Sequence, residues 1–489
     1  MLAHFKGIFK NSIIYSIGNF SSKLVGFILL PIYTQYLTVE DYGILGILEV
    51  STQLLVSMFG LGLYWAFNRW YWDKEYRHKQ NVLFFSSFVF LAGVSAVMFL
   101  IFAPFSEQLS VVLFEHNRFS YLLRIMFIVA GLEIVARIPL TLLKLQEKPV
   151  LYSAANISKF VVNLLVTIYF VVYLNRKLEG IYEAQIIGHA VYFLLLSPYI
   201  WRNLEFKFDF TLMKEMLVFS LPLVLSATSG IVLSIADRYI LKFLGGLSEV
   251  GIYSLGFKIA NIIQVFIIQS VMLALSPMIY KMMDDPNNKR FYSKSMTYFG
   301  YGIMFFVLGL SMFGKEAVEM LAQKKEFWPA YQIIPIIAFA KFFVALKHTA
   351  AIGLNIMKKT KIRAFIGIFI SVLNIALNVV FIPQWQSIGA SIALVIAHFV
   401  FFVLVLKYSQ KYYFIPFEIQ KITKMIIVGV LIISVAFLVN NMEITIRILI
   451  KLILFCSFPV LLYLWNFYED IEVQRVKEGA KKIINRFSF

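Results

Sequence analysis

The chain alternates between long apolar runs and short polar segments, and fourteen runs approach the roughly 20 residues a helix needs to cross a bilayer. They are 12–36, 42–67, 82–104, 120–143, 151–174, 181–201, 217–244, 251–279, 295–313, 332–357, 364–382, 388–406, 425–441 and 446–467. The pattern predicts an all-α polytopic membrane protein with 14 transmembrane helices. Within the runs, polar residues recur at helical spacing and so form seams. The first run aligns Ser12, Ser16, Asn19, Lys23 and Gly26, the second Gly46, Glu49, Gln53 and Ser57, and the fifth Tyr152, Asn156, Lys159, Asn163 and Thr167. Later runs do the same with Gly230, Ser234 and Asp237, with Ser254, Lys258 and Asn261, and with Ser371, Asn374 and Asn378. Seams on so many helices predict a shared polar interior.

The pattern also repeats. "VEDYGILG" (39–46) parallels "LSEVGIYS" (247–254) at an offset of 208, and "GIYEAQIIGHAVYFLL" (180–195) parallels "GASIALVIAHFVFFVL" (389–404) at an offset of 209. The matches set Gly43 over Gly251, Gly180 over Gly389 and His189 over His398. Six spans separate equivalent points, so both copies cross the membrane in the same sense, as a parallel repeat. Two pseudo-symmetric six-helix lobes are therefore expected, 1–201 and 216–410, with helices 13 and 14 (422–467) as an appendix. The basic tail 468–489 sets Val473, Val476, Ala480 and Ile483 on one face, which predicts an amphipathic helix on an anionic leaflet.

Composition narrows the class. With 60% hydrophobic and 15% charged residues, the 489-residue chain has too little polar surface to be a soluble globule. Its one cysteine, Cys456, rules out an intramolecular disulfide. A net charge of +18 would suit nucleic acid, but the basic residues gather in alternate connections: 1–11, 68–81, 144–150, 202–216, 280–294, 358–363, 407–424 and the tail. The opposite connections hold only Arg118, Arg176, Lys177, Lys315, Lys324 and Lys325. The positive-inside rule then puts both termini in the cytoplasm and makes the bilayer, not nucleic acid, the partner of the charge. The first run follows Lys6 and Lys10, lacks a small-residue cleavage site and is too long for a signal core, so it reads as a retained helix.

Basic residues inside the spans are the unusual feature, since each charge at bilayer depth costs about 2.5–3.5 kcal/mol. They are Lys23, Arg124, Arg137, Lys159, Arg238, Lys242, Lys258, Lys341, Lys347, Arg447 and Lys451, against few acids, mainly Glu49, Glu133 and Asp237. Lys242, Lys347, Arg447 and Lys451 lie near span ends and are expected to snorkel. Arg137 is expected to pair with Glu133, four residues earlier. His189 and His398 read as packed helix-interface histidines, and the small and amide residues also suit helix–helix contacts. Lys23, Lys159, Arg238 and Lys258, with Asn19 and Asn261, then form a cationic substrate-binding set suited to phosphate oxygens. Asp237 and Glu49 are the ion-coupling candidates. Neighbours on a helix diverge by about 100°, so Asp237 is expected to meet a cation, or a base from another helix, rather than Arg238. No Walker A, catalytic acid or metal-ligand motif appears, and neither an enzyme nor a cofactor is expected.

Three stretches carry a resemblance: "NSIIYSIGNFSSKLVGFILLPIYTQYLTVEDYGILGILEV" (11–50), "ADRYILKFLGGLSEVGIYSLGFKI" (236–259) and "EFWPAYQIIPIIAFA" (326–340). They look like the Wzx-type polysaccharide repeat-unit flippases of the multidrug/oligosaccharidyl-lipid/polysaccharide exporter (MOP) superfamily, over nearly the whole chain. The resemblance implies transfer of an undecaprenyl-pyrophosphate-linked oligosaccharide across the bacterial inner membrane for O-antigen or capsule biosynthesis. It implies alternating access, H⁺ or Na⁺ as coupling ion, and a polysaccharide polymerase and chain-length regulator as partners. A lipid II flippase is similar. A multidrug exporter would need acids for cationic drugs, and a glycan polymerase would need catalytic acids or a larger outer loop.

Overall fold

A computed structural model of the chain describes residues 26–474 and residue 478, with the backbone alone at 225–231, 233 and 234. It is 87% helical, and no strand occurs among the described residues. Its helices include α1 (Leu30–Tyr36), α2 (Val39–Phe59), α3 (Gln80–Phe102), α4 (Ser120–Leu145) and α5 (Pro149–Ile168). They continue with α6 (Lys177–Asn203), α7 (Phe210–Gly245), α8 (Leu247–Ala260), α9 (Gln269–Lys281), α10 (Asn288–Met312) and α11 (Gly314–Leu321). The last four are α12 (Ile334–Ala350), α13 (Thr360–Tyr412), α14 (Ile419–Leu438) and α15 (Ile444–Leu464). Among the described residues, eleven helices are long and apolar enough to cross a membrane. The predicted spans from the second onward fall largely on helix, the second being broken by a turn at residues 60–62, where Leu61 and Gly62 have positive φ. The first lies largely outside the described residues, as do Asn19, Lys23 and the tail positions Val476, Ala480 and Ile483.

Local chemistry sets the helix ends. Thr38 caps α2 with a capping box, its hydroxyl accepting from the Asp41 N–H at 3.0 Å while its own N–H donates to Asp41 Oδ2 at 3.1 Å. In the repeat, Asp41 corresponds to Glu249, which instead accepts the Ser387 N–H at 3.2 Å. Ser387 follows Gln386, whose φ of 49° breaks α13 where the sequence separates its eleventh and twelfth spans. The parallel extends to Asp41, which lies 3.5 Å from Lys177 at the start of α6. In both copies the acid in the first turn of the second helix reaches the start of the sixth.

By proximity, the chain forms two compact units: residues 1–255, 320–328 and 367–390, and residues 256–319, 329–366 and 391–489. In the first, α2 and α8 meet at the repeat-matched glycines. A Cβ on Gly43 would stand 2.0 Å from the Leu247 carbonyl oxygen, and one on Gly251 would stand 2.1 Å from that of Val39. Contact i with j and j with i is the signature of a two-fold-related pair. Close approach matters because lipid tails are as apolar as leucine, so packing rather than water exclusion joins membrane helices. Phe67, Phe84, Leu143, Tyr192 and Leu196 belong to the apolar core of this unit.

In the second unit, α10 packs along α12 and α14, with Gly300 against Leu346 and Gly429 against Met304. Two ion clusters sit at its helix ends. Arg447 Nε lies 2.7 Å from Glu316 and its Nη2 3.1 Å from Glu319, while Lys451 Nζ lies 2.7 Å from Glu316. Lys451 is fully buried and Arg447 nearly so, which corrects the expectation that both snorkel. A base that finds a carboxylate inside the protein has no reason to reach for the interface. Lys294 pairs with Glu418 at 2.8 Å and with Glu469, and Lys421 meets Glu418 at 3.1 Å.

Candidate functional site

The first unit contains two polar clusters within its helices. One is built around α7. Asp237 is completely buried and accepts two neutral hydrogen bonds, from Tyr253 Oη to Oδ2 and from Asn378 Nδ2 to Oδ1, each at 2.8 Å. Tyr253 comes from α8 and Asn378 from α13, so one carboxylate ties three helices together. Asn374, a turn before Asn378, is buried beside it, and its backbone carbonyl accepts from Asn378 Nδ2 at 2.9 Å. Asn378 Oδ1 has no hydrogen-bond partner among the described residues, although it is enclosed. Arg238 is also buried, donates from Nε to Ser254 Oγ at 3.2 Å, and lies 5.6 Å from the Tyr253 ring centre. Asp237 and Arg238 thus diverge as their adjacency dictates. The hydrogen bonds to Asp237 come from neutral donors, not from a base on another helix.

The second cluster joins α4, α5 and α6. Lys159 Nζ is 2.7 Å from His189 Nε2, and His189 Nδ1 is 2.8 Å from the Gln185 carbonyl oxygen. A carbonyl only accepts, so Nδ1 carries the ring proton and Nε2 presents a lone pair to the ammonium. Lys159 is therefore held by a neutral imidazole, and the carboxylate of Glu133 acts on it electrostatically. Arg137 does not pair with Glu133 as expected; its guanidinium lies 5.6 Å from the Tyr64 ring centre. Glu49 is solvent-accessible in the middle of α2, and an accessible carboxylate at that depth requires a wet or polar surrounding. Nearby, Ser51 Oγ on α2 and Tyr239 Oη on α7 are 2.6 Å apart.

The remaining expected residues lie elsewhere. Lys258 and Asn261 are half-buried in the second unit, where α8 ends and gives way to a π-helical stretch, Ile263–Ile268. Lys242, expected to snorkel, is buried instead: its side chain donates to the Val112 carbonyl at 3.2 Å and meets Glu115 at 3.3 Å. Lys347 lies 4.3 Å from the Phe401 ring centre. Tyr253 was missed from sequence, being one of 26 tyrosines with nothing to mark it. The seam of Asn374 and Asn378 did mark its partners.

A family model described as "Polysaccharide biosynthesis protein" matches residues 8–283, and one described as "MatE" matches residues 222–380. A protein of the Lsg locus of Haemophilus influenzae is 24% identical over 281 residues, 56% of this chain and 66% of that protein. An uncharacterised membrane protein of the same organism is 23% identical over 279 residues, 56% of this chain and 65% of its own length. The chain thus matches just under two thirds of the length of these relatives. Among solved structures, the lipid II flippase MurJ in an inward closed conformation superposes with a TM-score of 0.73 at 16% identity, covering 92% of this chain and 99% of MurJ. An inward-facing multidrug resistance MATE family transporter of the MOP superfamily gives 0.65 at 13% identity, covering 82% and 95%. With a family model matching more than half its length, the chain belongs to the polysaccharide biosynthesis protein family, and it shares the fold of these two transporters.

Proposed function

We propose that the chain flips an undecaprenyl-pyrophosphate-linked oligosaccharide from the inner to the outer leaflet of the bacterial cytoplasmic membrane, with both termini cytoplasmic, for O-antigen or capsule synthesis. The movement is alternating access of lobes 1–201 and 216–410, and the candidate cationic substrate-binding set is Lys23, Lys159, Arg238 and Lys258, with Asn19 and Asn261. The observation that carries this reading is the Lys159–His189 contact, in which a membrane-embedded ammonium is oriented by a neutral ring, not neutralised by a carboxylate. Its charge is thereby kept for an anion. Arg238, which donates to Ser254 and lies beside the Tyr253 ring, offers a fork matched to phosphate oxygens.

Asp237 is assigned to coupling. Its carboxylate and the unpartnered Asn378 Oδ1 are oxygen donors in a buried setting, the donor type that a hard cation such as Na⁺ takes, while protonation of Asp237 would serve H⁺. Glu49 is the second coupling candidate. A polymerase and a chain-length regulator are the expected protein partners.

The test is flipping of a fluorescent lipid-linked oligosaccharide by purified protein in liposomes, with and without an imposed ion gradient. Lys159→Ala and Arg238→Ala should lose most of the transport at normal protein level, Lys159→Arg should keep part of it, and Asp237→Asn should chiefly alter the gradient dependence. Full flipping by both alanine variants would refute the cationic-set reading. The MurJ-like fold makes a lipid II flippase the second reading. Rescue of cells depleted of their own lipid II flippase would favour it.

A further inference from the structure

Between Glu326 and Glu418 the chain contains no acidic residue, yet it carries Lys341, Lys347, Lys358, Lys359, Lys361, Arg363, Lys407 and Lys411. In the second unit this stretch forms α12, the first turn of α13 and the part of α13 after Ser391. The neighbours α9 and α10 contain no acid either. Five nitrogen-bearing side chains converge there. Lys347 feels the charges of Arg363 and Lys341, His348 those of Lys347 and Arg363, and His398 those of Lys347, Lys341 and His348.

The packing that gathers them is aromatic. Phe343 of α12 lies 5.1 Å from Phe399 and 6.3 Å from Phe402, Lys347 Nζ is 4.3 Å from the Phe401 ring centre, and Lys341 Nζ is 4.6 Å from that of Phe257. Lys341 and His398 are 6% and 9% exposed, and Lys347, His348 and Arg363 are half-buried, so the group is enclosed yet reachable. His398 Nδ1 is enclosed without a hydrogen-bond partner among the described residues. Four acidic groups of the unit are engaged elsewhere: Glu316 and Glu319 by Arg447 and Lys451, and Glu418 and Glu469 by Lys294 and Lys421.

Like charges gathered in a low dielectric repel, and the helix dipoles offset only part of this. Lys347 and His348 occupy the last turn of α12, which favours cations, but Arg363 occupies the first turn of α13, which disfavours them. Among the described residues Lys347 and Arg363 form no ion pair, and an anion with several acceptor oxygens would complete their setting. We infer that it is a second anion site, separate from Lys159 and Arg238, which takes the phosphate of a lipid head group: Arg363 supplies the two-pronged donor, Lys347 the point charge, and His398 or His348 a ring N–H. The phosphate comes either from an anionic phospholipid or from a pyrophosphate-linked lipid. The inference does not depend on the flippase reading, because it concerns binding alone.

The test uses full-length protein in a neutral detergent, with its melting temperature measured against sodium pyrophosphate, at ionic strength matched with sodium chloride, and against micelles containing phosphatidylglycerol or phosphatidylcholine. The wild type should gain several degrees with pyrophosphate, phosphatidylglycerol or both, and nothing with phosphatidylcholine. The variant Lys347→Gln/Arg363→Gln should lose most of that gain, whereas Lys358→Gln/Lys359→Gln should keep it. A gain with phosphatidylglycerol alone assigns the site to phospholipid, and a gain with pyrophosphate assigns it to the pyrophosphate-linked class. If the double variant does not fold, Lys347→Gln and Arg363→Gln are read singly in the same way. No gain in the wild type, or the same gain in wild type and site variants, overturns the site.

Discussion

At the scale of single residues, the charges inside the helices divide by what holds them. Arg447 and Lys451 are spent on Glu316 and Glu319, whereas Lys159 and Arg238 are oriented by a ring and a hydroxyl. Helical spacing put Lys159 on a seam, and charge at bilayer depth singled out Arg238. Spacing could not find the first pair, whose partners lie more than a hundred positions away in sequence. Removing one member of a buried pair leaves the other uncompensated, at a cost of about 3 to 5 kcal/mol. Glu316→Gln should therefore lower the melting temperature sharply, and a Glu316→Gln/Lys451→Met double variant should recover most of the loss. Glycine gives a second contrast. Gly43→Ala drives a Cβ into the rigid backbone of Leu247 and should destabilise by about 1 to 3 kcal/mol, whereas Gly93→Ala meets nothing within 4 Å and should be neutral or gain up to about 1 kcal/mol. Thermal unfolding of the two variants side by side checks the pair.

At the scale of elements, the junction between α10, α14 and the segment after α15 is an electrostatic latch. Glu418 accepts from Lys294 at 2.8 Å and from Thr297 at 2.7 Å, and Glu472 accepts from Tyr298 and from the Glu469 N–H. Burial alone would push the Glu418 carboxyl up, but the hydrogen bonds from Lys294, Thr297 and Lys421 hold it below its ordinary range; Glu472 is held down in the same way by Tyr298 and the Glu469 N–H. A carboxyl depressed in the fold contributes stability that is complete above its unfolded value and fades as the pH falls through the folded one. The latch should hold at neutral pH and loosen only below the usual carboxylate range. Hydrogen exchange of residues 465–474 should rise there in the wild type, while in Glu418→Gln it should already be raised at neutral pH and change less on acidification.

At the scale of the whole molecule, the orientation is a matter of charge distribution and can be tested directly. With Cys456 replaced by serine, single cysteines placed at Lys74, Asp285 and Lys411 should react with a membrane-impermeant thiol reagent only from the cytoplasmic side, and those at Glu115 and Lys325 only from the outside. The reverse pattern would overturn the assignment of both termini to the cytoplasm. The sequence by itself determined what depends on local pattern: the all-α membrane class, the helices from the second span onward, the break at Gln386 and the internal repeat. Bilayer thickness and the helical period write those features into any window of about 20 residues. Tertiary structure alone decided which charge meets which. Asp237 meets Tyr253 and Asn378, Lys159 meets a neutral His189, and Lys242 turns inward to Val112 and Glu115. A seam says which residues share a face, but the partner across the gap is set by how two helices cross, and in lipid that is fixed by close packing at positions such as Gly43 and Gly251, which no window along the chain contains.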